Sequence, residues 1–208
     1  IYRESYFINT VLEKVSDMGV SLTDFSINST DLMSKAVGDE IYDPNVYIEK
    51  LMPDINFIYS QLSFLERETN TQAAAGVKLA KMLNTKLDIG RYKLVAQQAG
   101  TIIENVPADL GVGGSKTYLV LFQNNMELRP AGGFIGAYGL LTFENGRMTG
   151  ISVSDVYSAD GQLKGHIEPP APIKKYLGEA NWWLRDSNWD PDFITSSKRA
   201  EWFLDKEV

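Results

Sequence analysis

The chain has 208 residues, 44% hydrophobic and 23% charged, with a net charge of −7 and a pI near 4.8. It is long enough to bury a core in one large or two small domains, and too acidic for a general nucleic-acid binder, which needs a basic face to meet phosphates. With no cysteine and one histidine, His166, it excludes disulfides, thiol catalysis, cysteine–zinc sites and histidine-rich metal sites.

Residues 1–107 carry helical periodicity and predict an α-helical bundle. Tyr6, Phe7, Val11, Leu12 and Val15 recur every three or four residues, and Gly19 is the expected C-terminal stop. A second helix is expected over Thr23 to Val37. Asp43-Pro44 has the form of an N-cap followed by the first helical residue, and an apolar stripe from Val46 to Leu65 follows. Pro53 is expected to kink or split that helix. Ala73 to Leu83 and Asp88 to Ile103 predict two more helices, with Pro107 ending the region. Residues 108–117, with Gly111, Gly113 and Gly114, form the expected linker.

The second domain, 118–208, is organised around Tyr118 to Tyr138. Tyr118 to Phe122 predicts a buried strand, Gln123 to Arg129 a polar loop at its end, and Ala137 to Phe143 a second strand. Asn145-Gly146 between apolar runs predicts a tight hairpin, with a return strand over Met148 to Val153. Ser158 to Gly161 is expected as a turn. Pro169, Pro170 and Pro172 force an extended path. Asp190-Pro191 is expected to open a last helix, with Phe193, Ala200 and Phe203 on its inner face. A strand, a hairpin and a helix leave an open sheet incomplete, so the natural chain is expected to continue past Val208. A start at Ile1 fits a cut behind a membrane anchor.

Arg129 is either a bidentate grip on phosphate, with Asn124, Asn125 and glycine amides nearby, or the partner of Glu127 or another acid. Gly132 and Gly133 favour a tight turn over a ligand approach. Arg185, Asp186 and Asn188 lie among Trp182, Trp183 and Trp189. Such a set suits sugar rings or prenyl chains, or else a loop pinned by buried aromatics. Asp186, Asp190 and Asp192 match no standard calcium loop. No Walker loop and no Gly-x-Ser-x-Gly elbow occurs, and no catalytic residue stands out.

Tyr118-Leu-Val-Leu-Phe-Gln-Asn-Asn-Met-Glu-Leu-Arg-Pro-Ala-Gly-Gly-Phe-Ile-Gly, Asp155-Val-Tyr, Ile167-Glu-Pro-Pro-Ala-Pro and Trp183-Leu-Arg-Asp-Ser-Asn-Trp-Asp-Pro-Asp-Phe resemble the bacterial domain of unknown function 4012 over roughly 105–205. That resemblance implies an N-terminal membrane anchor and a domain outside the cytoplasm. More distantly, the same half is similar to the LytR-CpsA-Psr family. This second likeness implies an α/β/α fold, transfer of glycopolymers from polyprenyl-pyrophosphate carriers, arginines on the pyrophosphate and aspartates on magnesium. Asp155 falls where that family has its arginine–aspartate pair, with Ser154 in the arginine's place. Phe134-Ile135-Gly136 stands where the family carries arginine-serine-aspartate.

The expected fold is α+β overall: a helical bundle, then the front portion of an α/β LytR-CpsA-Psr-like domain. The expected function is extracytoplasmic binding of a phosphorylated or polyprenyl-pyrophosphate-linked glycan, with a phosphotransferase activity left open. Arg129, Arg185, Asn124 and Asn125 would hold phosphate, Asp155 a Mg2+ ion, and Trp182, Trp183 and Trp189 glycan or prenyl groups. The alternative is a non-catalytic surface or assembly module whose helical part binds a protein partner, which the missing motif aspartate favours.

Overall fold

The computed structural model describes residues 2–207. Four helices come first: α1 (Tyr2–Val37), α2 (Pro44–Ala74), α3 (Lys78–Lys86) and α4 (Ile89–Asp109). Three strands follow, β1 (Ser115–Arg129), β2 (Gly132–Glu144) and β3 (Arg147–Asp155), and pair antiparallel in the order β1-β2-β3. The chain then forms α5 (Val156–Asp160), α6 (Ala171–Tyr176), a 3-10 turn at Leu184–Asp186, and α7 (Phe193–Glu207). The fold is α+β, as expected. Among the described residues, no helix is long and apolar enough to cross a membrane.

The residues divide into two compact units. The first holds everything up to Lys116 together with Phe143–Met148; the second holds Thr117–Thr142 and everything from Thr149 onward. In the first, α1, α2 and α4 bury Met18, Leu32, Leu51, Ile55, Ile58 and Ile103 in one core, and Phe7 packs with Val77 and Ala80 in a smaller one. Asp43 caps α2 by accepting the Asn45 N–H at 2.9 Å, with Pro44 at the first helical position. This is the predicted start.

Helix boundaries differ from expectation at Gly19, Pro107 and Gly76. Gly19 does not stop the first helix: α1 runs through it, because Met18 and Leu32 lie on one buried stripe and their packing outweighs the propensity cost of about 1 kcal/mol for one glycine. Pro53 lies inside α2 without ending it, and Pro107 lies inside the last turns of α4. The break in the small-residue region falls at Gly76, whose φ of 90° suits glycine, so Ala73 and Ala74 end α2 and α3 begins at Lys78.

The hairpin at Asn145-Gly146 forms as predicted, with φ of 49° and 88°. Its tip belongs to the first unit. Tyr42 donates its hydroxyl to the Gly146 carbonyl at 2.5 Å, and the Gly146 N–H reaches the Leu110 carbonyl at 2.8 Å. A Cβ on Gly146 would meet the Pro44 ring.

The second unit corrects the expected strand–loop arrangement. Gln123 to Arg129 is not a loop but the exposed second half of β1. Pairing with β2 satisfies the backbone groups on one side of this edge strand and water can reach the others, so a polar run is tolerated. Gly133 passes too close to the Asn124 backbone to carry a Cβ, which explains the glycine pair as a packing need. Ile135, Tyr138, Val156, Leu184, Ala200 and Phe203 form the core here. Phe203 is fully buried, but Phe193 is 81% exposed, not on the inner face. The reason is the start of α7: Asp192, not Asp190, caps it, accepting the Thr195 N–H at 2.8 Å. Asp190 instead accepts the Asp192 N–H, closing the turn before the helix.

Candidate functional site

The segment 182–189 crosses the second unit and fixes its polar groups. Asn188 donates its side-chain amide to the Gly133 carbonyl at 2.7 Å, and its own carbonyl accepts the Ala131 N–H at 3.3 Å. The Trp182 indole donates to the Asp186 carbonyl at 2.9 Å. These bonds tie the segment to the β1–β2 turn and hold the 3-10 turn in place.

Arg129 and Arg185 meet there, on acids. The Arg129 Nε donates to Asp186 Oδ1 at 2.6 Å, with side chains 11% and 3% exposed. Arg185 donates to Asp160 Oδ2 at 2.7 Å and Glu179 Oε2 at 3.1 Å, and its Nε lies 3.7 Å from Asp186 Oδ2. Arg185 is also stacked between Tyr157 and Trp183, at 5.5 and 5.1 Å from the ring centres. Three carboxylates thus answer two guanidinium groups. Burial pushes the Asp160 carboxyl above the ordinary aspartate range, and Arg185 offsets this only in part. Burial opposes the Arg185 charge, but Asp160 and Glu179 outweigh it and raise its pKa. The arrangement braces a loop: Arg185 donates to Asp160 and Glu179, while Arg129 gives its Nε to Asp186 and an Nη to the Glu127 and Leu128 carbonyls, the second of the two readings open for Arg129, with Asp186 in place of Glu127.

A different hollow lies beside this brace. It measures about 270 Å3 and is walled by Trp182, Trp189, Pro170 and Pro191, with Ser187 and Arg199 also lining it. Ser187 is 1% exposed and its hydroxyl has no hydrogen-bond partner. Arg199 stacks over Trp182 at 4.8 Å and Trp202 at 5.5 Å, and no carboxylate pairs with it among the described residues. A second hollow of about 310 Å3 adjoins, sharing Thr195 and Arg199 and adding Lys198 and Trp202. A larger groove of about 640 Å3 runs between the sheet and α7. Leu119, Leu121 and Leu204 make it apolar, while Glu201 and Asp205 make one side acidic.

Residues 113–206 match the family model described as Protein of unknown function (DUF4012). No curated protein and no solved structure matches the chain. The expected membership of the back half is therefore supported, and the DUF4012 region holds both the brace and the hollow.

The other expected site residues of the DUF4012 region are dispersed. Asn124 donates to Glu127 at 3.3 Å and accepts the Met126 N–H at 3.1 Å, and Asn125 lies beside it on the exposed half of β1. Asp155 caps α5, accepting the Tyr157 N–H at 2.8 Å. Among the described residues, no group of three or more His, Asp or Glu side chains gathers to hold a metal ion, so the donor set for Mg2+ is not assembled around Asp155. Trp182 and Trp189 share one hollow, whereas Trp183 lies under Arg185. Arg199, Ser187 and Asp160 were not among the residues expected from the sequence. Arg199 carried a usable signal: it precedes Trp202 by three positions on one helix, a spacing that puts guanidinium and indole on one face.

Proposed function

We propose that the DUF4012 region is a non-catalytic carbohydrate-binding module of the bacterial cell envelope, acting outside the cytoplasm. The observation that carries this reading is the hollow between Trp182 and Trp189, with Ser187, Thr195 and Arg199 among its lining residues. Pyranose C–H groups rest on the faces of aromatic rings, and a few polar side chains in the wall of a pocket orient a sugar through hydrogen bonds. The size limits the occupant. At about 270 Å3 the hollow lies just under the roughly 300 Å3 at which ligand pockets begin, so it suits one ring and not a long prenyl chain.

The polyprenyl-pyrophosphate version of this reading has less support. Arg129 and Arg185 would have to leave buried carboxylates before gripping a phosphate, and breaking such a pair costs about 3–5 kcal/mol. The apolar groove beside α7 is large enough for a prenyl chain, but its charged side is acidic and would repel a diphosphate. The envelope setting and an anchor outside the sequence rest on the DUF4012 resemblance.

The test is titration of the protein with a panel of envelope and plant oligosaccharides, read by tryptophan fluorescence and calorimetry. Binding is expected to quench Trp189 and to be lost in Trp189→Ala. Binding that survives Trp189→Ala unchanged would place the sugar elsewhere, and no binding across the panel would remove the proposal.

A second reading, a protein partner for the helical unit, is favoured by one feature. Ile8, Leu12, Val15, Leu22 and Met33 follow alternating four- and three-residue steps with Gly19, Ser26 and Ser29, and those five apolar side chains are all exposed on α1. Chemical cross-linking of wild type against a Leu12→Glu, Val15→Glu variant tests it: equal yields would count against a partner on this stripe.

A further inference from the structure

We infer that the sugar held in the Trp182–Trp189 hollow is a uronic acid type of residue, carrying one carboxylate that Arg199 receives. This rests on the carbohydrate reading of the same hollow and adds the charge of the ligand.

Arg199 differs from Arg129 and Arg185 in how its charge is answered. Arg129 and Arg185 each face at least one buried carboxylate within 2.7 Å. Arg199 is held by two indole faces instead, at 4.8 and 5.5 Å. Stacking fixes the guanidinium plane while leaving its edge donors free, and that edge matches a carboxylate with two parallel hydrogen bonds. The side chain lines the hollow next to Thr195, and the same two residues line the adjoining hollow. An oligosaccharide lying across both would pass Arg199 at the join, so a carboxylate on either ring is within its reach.

Within the Trp182–Trp189 hollow, leaving Lys198 of the adjoining hollow aside, the charge balance favours a carboxylate over a phosphate. The first hollow is lined by one cation, Arg199, and one anion, Asp190. Asp190 is exposed, and its Oδ1 accepts the Asp192 N–H, so the carboxylate is fixed near the rim. A sugar carboxylate brings a single negative charge, which Arg199 answers. A phosphate monoester brings nearly two and a diphosphate more, with Asp190 adding like charge close by. Asp190 has a use of its own with a sugar: an acceptor for ring hydroxyls.

The probes are trimers of galacturonate, glucuronate and mannuronate, each beside its methyl ester, together with galactose 1-phosphate. The ester keeps the ring and removes only the charge. At least one acid trimer is expected to bind about tenfold tighter than its ester, with the difference shrinking as salt is raised. Arg199→Gln is expected to erase the difference, and Arg199→Lys to keep part of it. Because the acid–ester comparison is made on the wild-type protein, it holds even if Arg199→Gln loosens the tryptophan packing. Equal affinity for acid and ester would overturn the carboxylate while leaving sugar binding in place. Tighter binding of galactose 1-phosphate would overturn it in favour of phosphate. Binding of no trimer in either form would overturn this inference and the carbohydrate reading together.

Discussion

The Nε of Arg129 donates to Oδ1 of Asp186 at 2.6 Å, joining the end of β1 to the 3-10 turn 57 positions further along the chain. Both side chains are almost fully buried, so neither charge has water to fall back on. The carboxylate also lies near Arg185, whose Nε is 3.7 Å from its other oxygen.

Asp186→Ala is therefore expected to destabilise the protein by about 3–5 kcal/mol, since it leaves one buried guanidinium uncompensated and weakens the surroundings of another. Urea unfolding followed by circular dichroism measures this. A loss under 1 kcal/mol would mean that the pair is solvated and contributes little, as exposed pairs do.

Arg129→Ala and Trp189→Ala should separate stability from binding. The first is expected to lower the unfolding midpoint while leaving sugar affinity within about twofold in the folded protein. The second is expected to reduce affinity about fivefold, because an aromatic face contributes on the order of 1 kcal/mol to a stacked contact. The reverse pattern, with Arg129→Ala abolishing binding, would restore the phosphate grip.

Phe193 and Phe203 lie on the same helix and should respond in opposite ways. Phe203→Ala empties a fully buried position against Trp182 and Trp202 and is expected to cost about 3–5 kcal/mol. Phe193→Ala, at an 81% exposed position, is expected to shift stability by less than about 0.5 kcal/mol.

Asp192 supplies a pH dependence whose sign can be stated. Its bonds to Thr195 hold its pKa below the usual aspartate value. The folded pKa is depressed, so the cap stabilises α7 above the unfolded pKa, and the contribution is lost as pH falls through the folded pKa. The melting temperature of wild type should fall toward that of Asp192→Ala as pH drops below 4, a range set by the ordinary aspartate pKa of about 3.9. A constant gap between the two proteins at pH 7 and pH 3 would rule out the cap as its source.

Gly146→Ala tests the hairpin tip. The position has φ of 88°, and the added Cβ would strike the Pro44 ring, so a loss of about 1–3 kcal/mol is expected. Tyr42→Phe removes only the hydroxyl bond to the Gly146 carbonyl and is expected to cost about 0.5–1.5 kcal/mol.

The sequence by itself determined what local chemistry decides. Asp43-Pro44 opens α2 because a carboxylate cap and a residue lacking an N–H both suit a helix start. Asn145-Gly146 turns the hairpin because both residues accept positive φ. The α+β composition and the resemblance of the back half to DUF4012 were also legible.

The tertiary structure alone decided where polar side chains point and what answers their charge. Gln123 to Arg129 has the composition of a loop, yet it extends as a strand because β2 offers it backbone partners. Arg129 and Arg185 are as suitable for phosphate as Arg199 by residue type. The first two are buried against acids 57 and 25 positions away, while the third rests on two indoles with its edge free. Local periodicity follows from neighbours a few residues apart, whereas the charge a guanidinium meets depends on segments brought together only by the fold.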